Sequence, residues 1–244
     1  MNRPLIEVRD LRFHYPDGSP ALEGIDFQLH AGETVALLGA NGSGKTTFVL
    51  CLNGLLAGRG AIEVCGVPLT RETFGHARQK IGMVFQDSDS QLFMPTVLED
   101  VAFGPLNLGL SAREAVARGR EALAQVGMSS AEERAPWRLS AGEKKRVAIA
   151  GILAMRPEIL ILDEPTTFLD PPAAAALLEL LRGLPQAKIV VTHDVLFAAA
   201  LANRAVFFRK GTVAGEGAVQ GVVRRFGWSG PSRDSERDLS LPTS

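Results

Sequence analysis

The sequence predicts an α/β fold built on a buried parallel sheet, and three observations carry the prediction. Three apolar runs rich in branched residues, at 34–38, 159–162 and 188–191, each end at polar residues. That is the pattern of strands buried on both faces whose C-terminal ends carry a site. Residues 111–127 are rich in Ala, Arg and Glu, with apolar positions near a 3.6-residue period, which predicts helical structure inserted into the middle third of the chain. Finally, residues 39–47 read Gly-Ala-Asn-Gly-Ser-Gly-Lys-Thr-Thr, a glycine-rich loop between an apolar run and a helix-like segment at 48–53.

Taken in chain order, residues 5–15 and 22–29 cluster apolar residues around a Pro-Asp-Gly-Ser-Pro turn, a hairpin-like start. The strand at 34–38, the loop and the helix at 48–53 follow. Met83, Val84 and Phe85 form a further apolar strand that ends at Gln86. Leu139-Ser140-Ala141-Gly142-Glu143 precedes a helical pattern at 144–155 and stands just ahead of the strand at 159–162. Residues 227–244 are rich in Ser, Pro, Asp and Arg, and are expected to be disordered. No internal repeat is evident.

With 244 residues, 46% of them hydrophobic, the chain can bury the core of one α/β domain with an inserted subdomain. Its 26 basic and 27 acidic residues give a formal charge of −1, so no global basic field points to nucleic acid. Cys51 and Cys65 lack CxxC spacing and read as buried or half-buried reduced thiols. Residues 1–10 carry charges and no apolar core of a signal peptide. The longest apolar stretches, 147–155 and 195–202, fall short of the roughly 18 residues that a membrane span needs. Work at a membrane would therefore require another subunit to hold this one there.

The loop at 39–47 fits the G-x-x-x-x-G-K-[ST] phosphate-binding pattern, which implies a nucleoside triphosphate. Gly39, Gly42 and Gly44 let backbone N–H groups turn inward around the β- and γ-phosphates, and the following helix adds its positive end. Lys45 reaches phosphate oxygens, the Thr46 hydroxyl takes one position on Mg²⁺, and Thr47 is a further phosphate donor. Asn41, Gly42, Ser43, Gly44, Lys45, Thr46 and Thr47 are thus the candidate contacts to the triphosphate. The strand at 159–162 ends in Asp163 and Glu164: Asp163 holds Mg²⁺ directly or through water, and Glu164 faces the γ-phosphate and polarises the attacking water. Ser140 to Glu143 has two readings, a helix end that donates to anionic oxygens or an N-cap with its capping-box Glu.

The phosphate loop, Gln86 after its strand, the LSAGE-KKR segment, Leu-Asp-Glu-Pro-Thr at 162–166, Leu169-Asp170 and His193 occur in the order found in ABC-type ATPases. The chain resembles that family over roughly residues 5–218. The resemblance implies a P-loop NTPase fold over 1–226, with a RecA-like core, an N-terminal antiparallel β-subdomain and a helical subdomain inserted at about 87–152. It also implies an ATP-sandwich homodimer in which Ser140 and the Gly142 amide of one subunit meet the γ-phosphate held by the other. Gln86 would then sense Mg²⁺ and the partner subunit, Asp170 would align the interface, His193 would hold the γ-phosphate and Glu164, and Tyr15 would stack on adenine. His14, His30 and His76 are expected at the surface. Two departures stand out: Ala141 and Glu143 replace the usual Gly and Gln, placing a carboxylate near the phosphate end, and Thr167-Phe168 replace the usual small residues before Leu-Asp.

Residues 87–109 are similar to the energy-coupling factor group of vitamin and metal-ion importers, although Ser88 stands where proline is usual. In that group an ATPase pair at the cytoplasmic face of the cell membrane grips a transmembrane T-component beside a substrate-binding membrane subunit. The likeness implies docking through Asp89, Gln91, Leu92 and Glu99, with Leu92, Phe93 and Val97 lining a groove. The chain looks most like the cobalt-importer ATPases, with nickel and biotin systems as rivals. A soluble ABC ATPase acting on nucleoprotein is the contrasting reading; the single phosphate loop, the lack of a coiled-coil stretch and the balanced charge argue against it.

Overall fold

A computed structural model describes residues 3–228. The chain opens with β1 (Ile6–His14) and β2 (Pro20–Leu29), paired antiparallel around the expected turn. They belong to a four-stranded antiparallel sheet of order β2-β1-β4-β5, completed by β4 (Arg59–Val64) and β5 (Val67–Pro68). The second sheet has six strands in the order β10-β9-β3-β8-β7-β6. Its centre is β3 (Thr34–Leu38), β8 (Ala187–Val191) and β7 (Ile159–Asp163), parallel and buried at every position. Continuous apolar runs are what strands covered on both faces require.

At one edge lies β6 (Ile81–Val84), parallel to β7. At the other, β9 (Arg204–Arg209) runs parallel to β3, and β10 (Thr212–Gly217) returns antiparallel. This order brings the C-terminal ends of β3, β7, β8 and β6 side by side, so residues 39, 163, 193 and 86, far apart in sequence, become neighbours.

One hydrophobic cluster fills the space between the sheets. At its middle is α1 (Lys45–Leu52), whose Phe48 ring lies 5.2 Å from Phe27 of the antiparallel sheet and 5.4 Å from Phe208 of the parallel one. The helix starts at Lys45, three residues ahead of its apolar signal, because the phosphate loop itself forms the helix N-terminus. A second cluster joins the opposite face of β7 to α3 (Val97–Asn107), α4 (Ala112–Gln125) and α5 (Ala141–Ala154). All three helices begin with a reciprocal capping box: Thr96 with Glu99, Ser111 with Glu114, and Ser140 with Glu143.

α2 (Phe74–Lys80), α6 (Pro171–Gly183), α7 (Val195–Leu201) and α8 (Val219–Phe226) complete the layers. The fold runs slightly past the expected tail boundary. Gly227 closes α8 in a left-handed conformation, and Trp228 donates to the Val223 carbonyl at 3.0 Å with its ring edge-on to Phe207. Residues 229–244, the rest of the expected disordered tail, lie outside the described residues. His14 is exposed as expected, whereas His30 and His76 are half-buried. Cys51 is buried and Cys65 half-buried; burial pushes their thiols up to about 12 and about 11.

Candidate functional site

Two glycines show why the loop after β3 has its sequence. Gly39 sits at φ 137°, and a Cβ there would come 2.2 Å from the Phe208 carbonyl oxygen. Gly44, at φ 106°, would place one 2.6 Å from the Ala21 carbonyl oxygen. Both positions demand a left-handed backbone and leave no room for a side chain. The loop that results turns back over α1. Lys45 is buried beneath it, with Nζ donating to the carbonyls of Gly39 at 2.7 Å and Ala40 at 3.0 Å. Burial lowers its pKa, and the nearby Glu164 and Asp163 act in the opposite direction.

Asp163 ends β7 inside the same cleft. Burial, reinforced by the charge of Glu164, pushes its carboxyl above the usual range; the Thr46 hydroxyl, donating to Oδ2 at 3.3 Å, and the charges of Lys45 and Lys145 oppose the shift. Glu164 takes a left-handed backbone at φ 45°, a region that non-glycine residues seldom occupy. Its N–H donates to the Val191 carbonyl at 2.8 Å, extending the β7–β8 ladder, and its carboxylate lies 2.8 Å from His193 Nδ1 and accepts from the His193 N–H at 3.3 Å.

A cleft of about 330 Å³ gathers Tyr15, Asn41, Gly42, Ser43, Gly44, Lys45, Thr46, Thr47, Gln86, Asp163 and Glu164. His193 lines the adjoining cleft and reaches this one through Glu164. Tyr15 is 42% exposed at the rim, and its hydroxyl shares a 2.8 Å hydrogen bond with Thr47 Oγ1. The Thr47 hydroxyl, expected as a phosphate donor, is thus engaged by the Tyr15 hydroxyl.

Ser140, Gly142 and Asp170 are not brought to the phosphate loop of their own chain. They line a separate cleft of about 250 Å³. There Ser140 Oγ accepts from the Glu143 N–H at 3.3 Å, Glu143 accepts from the Ser140 N–H at 2.8 Å, and Asp170 caps α6 by accepting from the Ala173 N–H at 2.8 Å. The cap reading of Ser140 describes the single chain. Glu143 is also paired with Arg134 at 2.8 Å, and the Ser140 N–H together with that guanidinium holds its carboxyl below the usual range. The negative charge expected at this helix end is therefore present beside Ser140 and paired with Arg134 in the single chain.

Sequence reasoning missed Lys145. Only 3% exposed, it donates from α5 to the carbonyls of Phe85 at 3.2 Å and Gln86 at 2.9 Å, fixing the turn where β6 leaves the sheet. In Lys144-Lys145-Arg146 the three cations look alike; helical spacing from Lys145 to Ala148 and Ile149, both buried, is the signal that separates the inward one. Lys144 instead pairs with Asp89 at 2.7 Å. The segment expected to dock a partner is revised in the same way. Val97 is fully buried in the helical core, and the Gln91 amide holds the end of β6, accepting from the Phe85 N–H at 2.9 Å and donating to the Met83 carbonyl at 3.1 Å. Glu99 serves its capping box. Leu92 and Phe93 do line a groove, of about 470 Å³, with Arg78, Phe103, Val147 and Met155.

Buried Asp163 beside the Thr46 hydroxyl fits a divalent cation. Among the described residues no group of three or more His, Cys, Asp or Glu side chains converges to hold a metal. A cation here would take its other ligands from phosphate oxygens and water, the habit of Mg²⁺.

A family model described as ABC transporter matches residues 22–167, the span from β2 through the phosphate loop and the Ser140 helix to the loop after β7. The chain belongs to the ABC transporter family. This ABC protein is an ATP-binding and ATP-hydrolysing cassette with the P-loop NTPase architecture. A Geobacter sulfurreducens protein provisionally named as an ABC transporter ATP-binding protein is 50% identical over 91% of this chain and 90% of its own length. An energy-coupling factor transporter ATP-binding protein of Methanothermobacter thermautotrophicus is 50% identical over 90% of this chain and 73% of its own. Among solved structures, CbiO1 of Clostridium perfringens, part of the ABC transporter complex CbiONQ, superposes with a TM-score of 0.83 at 36% identity, covering 91% of this cassette and 92% of that chain. The ATP-binding cassette MJ0796, dimeric in a post-hydrolysis state with ADP and Pi, gives a TM-score of 0.77 at 28% identity over 88% of this chain and 98% of that one. Among the described residues, no helix is long and apolar enough to cross a membrane.

Proposed function

We propose that this cassette is the energising subunit of an energy-coupling factor type importer. It acts as a homodimer at the cytoplasmic face of the cell membrane, held by a T-component and a substrate-binding membrane subunit, with cobalt as the transported ion. The observation that carries the dimer is the split site. The phosphate loop, Asp163 and Glu164 share one cleft, while Ser140 and Gly142 line another on the same chain. A second copy, placed head to tail, lets each Ser140 helix end face the triphosphate held by the other.

Lys45 and the loop amides hold the triphosphate, and Tyr15 supports the adenine. Thr46 and Asp163 hold Mg²⁺, which when bound neutralises charge on the phosphate oxygens. Gln86 reports on that cation and on the partner. Glu164 accepts the proton of the attacking water, and His193, within hydrogen-bond reach of Glu164 Oε2, keeps that carboxylate aimed at the γ-phosphate. Removing the charge of Glu164 without changing its shape abolishes only the proton-accepting role. Glu164→Gln is expected to bind ATP and accumulate as a dimer, seen by size-exclusion chromatography with ATP and Mg²⁺. A monomeric variant, or one that turns over at the parent rate, contradicts the assignment.

The groove beside Leu92 and Phe93 is suited to a coupling helix. Asp100 accepts from the N–H groups of Phe93 at 3.0 Å and Met94 at 3.1 Å, which keeps that rim ordered. The energy-coupling factor reading is supported by the named archaeal relative, and the cobalt reading by the likeness to CbiO1. Co-expression with the neighbouring membrane genes, followed by uptake of labelled cobalt, nickel and biotin in parallel, tests the cargo. Uptake of nickel or biotin alone would replace cobalt and leave the ATPase assignment standing.

A further inference from the structure

Lys145 makes no ion pair among the described residues, and its buried ammonium donates only to the carbonyls of Phe85 and Gln86. Burial lowers its pKa, against the charges of Asp87 and Asp163. A buried charge with neutral partners is a costly way to fill space, and a methionine would pack into the same helix without that cost. The donors of Lys145 therefore answer to something beyond packing. Gln86 shows what that is. The residues before it are fixed by other means: the β6–β7 ladder holds the strand as far as Val84, and the Gln91 amide holds the Met83 carbonyl and the Phe85 N–H. The Gln86 carbonyl, by contrast, has Lys145 as its one hydrogen-bond donor among the described residues, at 2.9 Å. Its exposed side chain makes no hydrogen bond within the described residues and lines both the phosphate cleft and a neighbouring cleft of about 380 Å³ that Lys145 also lines.

We propose that Lys145 is a positioning residue for Gln86: by holding the Gln86 carbonyl it fixes where that side-chain amide enters the phosphate cleft, and so sets how readily the ATP-bound chain takes up a divalent cation. The inference rests on the reading of Gln86 as the residue that reports on the cation. Position and charge can be told apart by sign. The ammonium is close enough to Asp163 to act on its carboxyl. By charge alone, removing one cation beside Asp163 would favour a second cation there, because like charges repel. Loss of the hold on Gln86 acts the other way and weakens cation uptake. A variant that lacks Lys145 and needs more Mg²⁺ therefore reports position.

The test follows the thermal midpoint of the full chain, in the Glu164→Gln background, as free Mg²⁺ is titrated at saturating ATP in mildly alkaline buffer. Lys145→Met, similar in size and without donors, should raise the Mg²⁺ concentration that gives half of the shift at least fivefold, while ATP binding in EDTA stays within twofold of the parent. Lys145→Gln keeps an amide donor and should fall between parent and methionine variant; it also serves where the methionine variant folds poorly. Hydrogen exchange at residues 86–88 should quicken in Lys145→Met while Phe85, held by Gln91, keeps its protection. Gln86→Ala separates the two readings. If Gln86→Ala needs more Mg²⁺ but the Lys145 variants need the same or less, the positioning role is overturned and the reading of Gln86 stands. If Gln86→Ala responds to Mg²⁺ as the parent does, the reading of Gln86 fails and the positioning role with it. Where both are impaired, Lys145→Met should add nothing further to Gln86→Ala; full additivity would mean that Lys145 acts by another route and would overturn the inference.

Discussion

Asp163 shows how one residue can weaken the empty fold in order to serve its ligand. Its carboxyl is raised by burial and by Glu164, so ionising it costs more in the nucleotide-free fold than in the unfolded chain. The sign of the linkage follows: a carboxyl whose pKa is higher folded than unfolded costs stability at neutral pH, and that cost is relieved as pH falls through the folded value toward the ordinary one. Asp163→Asn should therefore raise the melting temperature of the nucleotide-free protein by a few degrees at pH 7. It should also abolish the extra stabilisation that ATP with Mg²⁺ gives the parent. Differential scanning fluorimetry with and without Mg-ATP measures both; a variant that still responds fully to Mg²⁺ removes Asp163 from the metal site. The parent should lose Mg-ATP affinity on acidification from a pH above that at which an ordinary aspartate would protonate. Residues of this kind were legible in the sequence, because a phosphate loop and a strand ending in acids fix their chemistry by type and order. Thr47 and Lys145 were not. Which hydroxyl meets Tyr15, and which of three adjacent cations turns inward, depends on side-chain direction and not on residue type.

Among the elements, the three helices of the insertion show what a local signal can and cannot announce. Thr96, Ser111 and Ser140 each sit three residues ahead of a glutamate, and each forms a full capping box. The capping pattern is thus readable one helix at a time, whereas the use of the α5 end toward phosphate is not, since the other two helices carry the same device. Arg134 distinguishes α5 by taking up the Glu143 charge at 2.8 Å. Glu143→Gln keeps a side chain able to complete the box and loses only a partly exposed ion pair, worth less than about 1 kcal/mol. ATPase turnover is expected within about threefold of the parent, and a loss of tenfold or more would mean that the carboxylate itself acts in turnover. The buried strands β3, β7 and β8 were legible because both faces are covered and their apolar runs are nearly continuous, interrupted within a strand only by Lys188 of β8. β4, β9 and β10 carry glycines or charges at partly exposed positions and β5 is only Val67–Pro68, so their partners, and not their own patterning, define them as strands.

On the scale of the whole molecule, the sheet order gathers the phosphate loop, Asp163 and Glu164 in one cleft while Ser140 and Gly142 line another, and a groove opens between α2, α3 and α5. Leu92→Arg places a charge in that groove, away from the phosphate loop. ATP binding by the isolated subunit should stay near normal while co-purification with the T-component is lost; retained membrane assembly would move the docking surface elsewhere. The split site permits a stricter test. Lys45→Ala removes a buried charge-assisted contact worth roughly 1.5–3 kcal/mol, and so weakens ATP binding by about one to two orders of magnitude. Ser140→Arg blocks the helix end that lies in the other cleft. Each variant alone makes a dimer with both composite sites damaged. In a mixed dimer both lesions fall on one site, because the Ser140→Arg chain brings the intact phosphate loop and the Lys45→Ala chain the intact Ser140 helix to the other. ATPase activity should therefore return on mixing, toward half of the parent's rate per dimer in the mixed dimers. If mixed dimers form, as tagged pull-down would establish, and activity stays at the level of the separate variants, then Ser140 does not act on the nucleotide of a second copy.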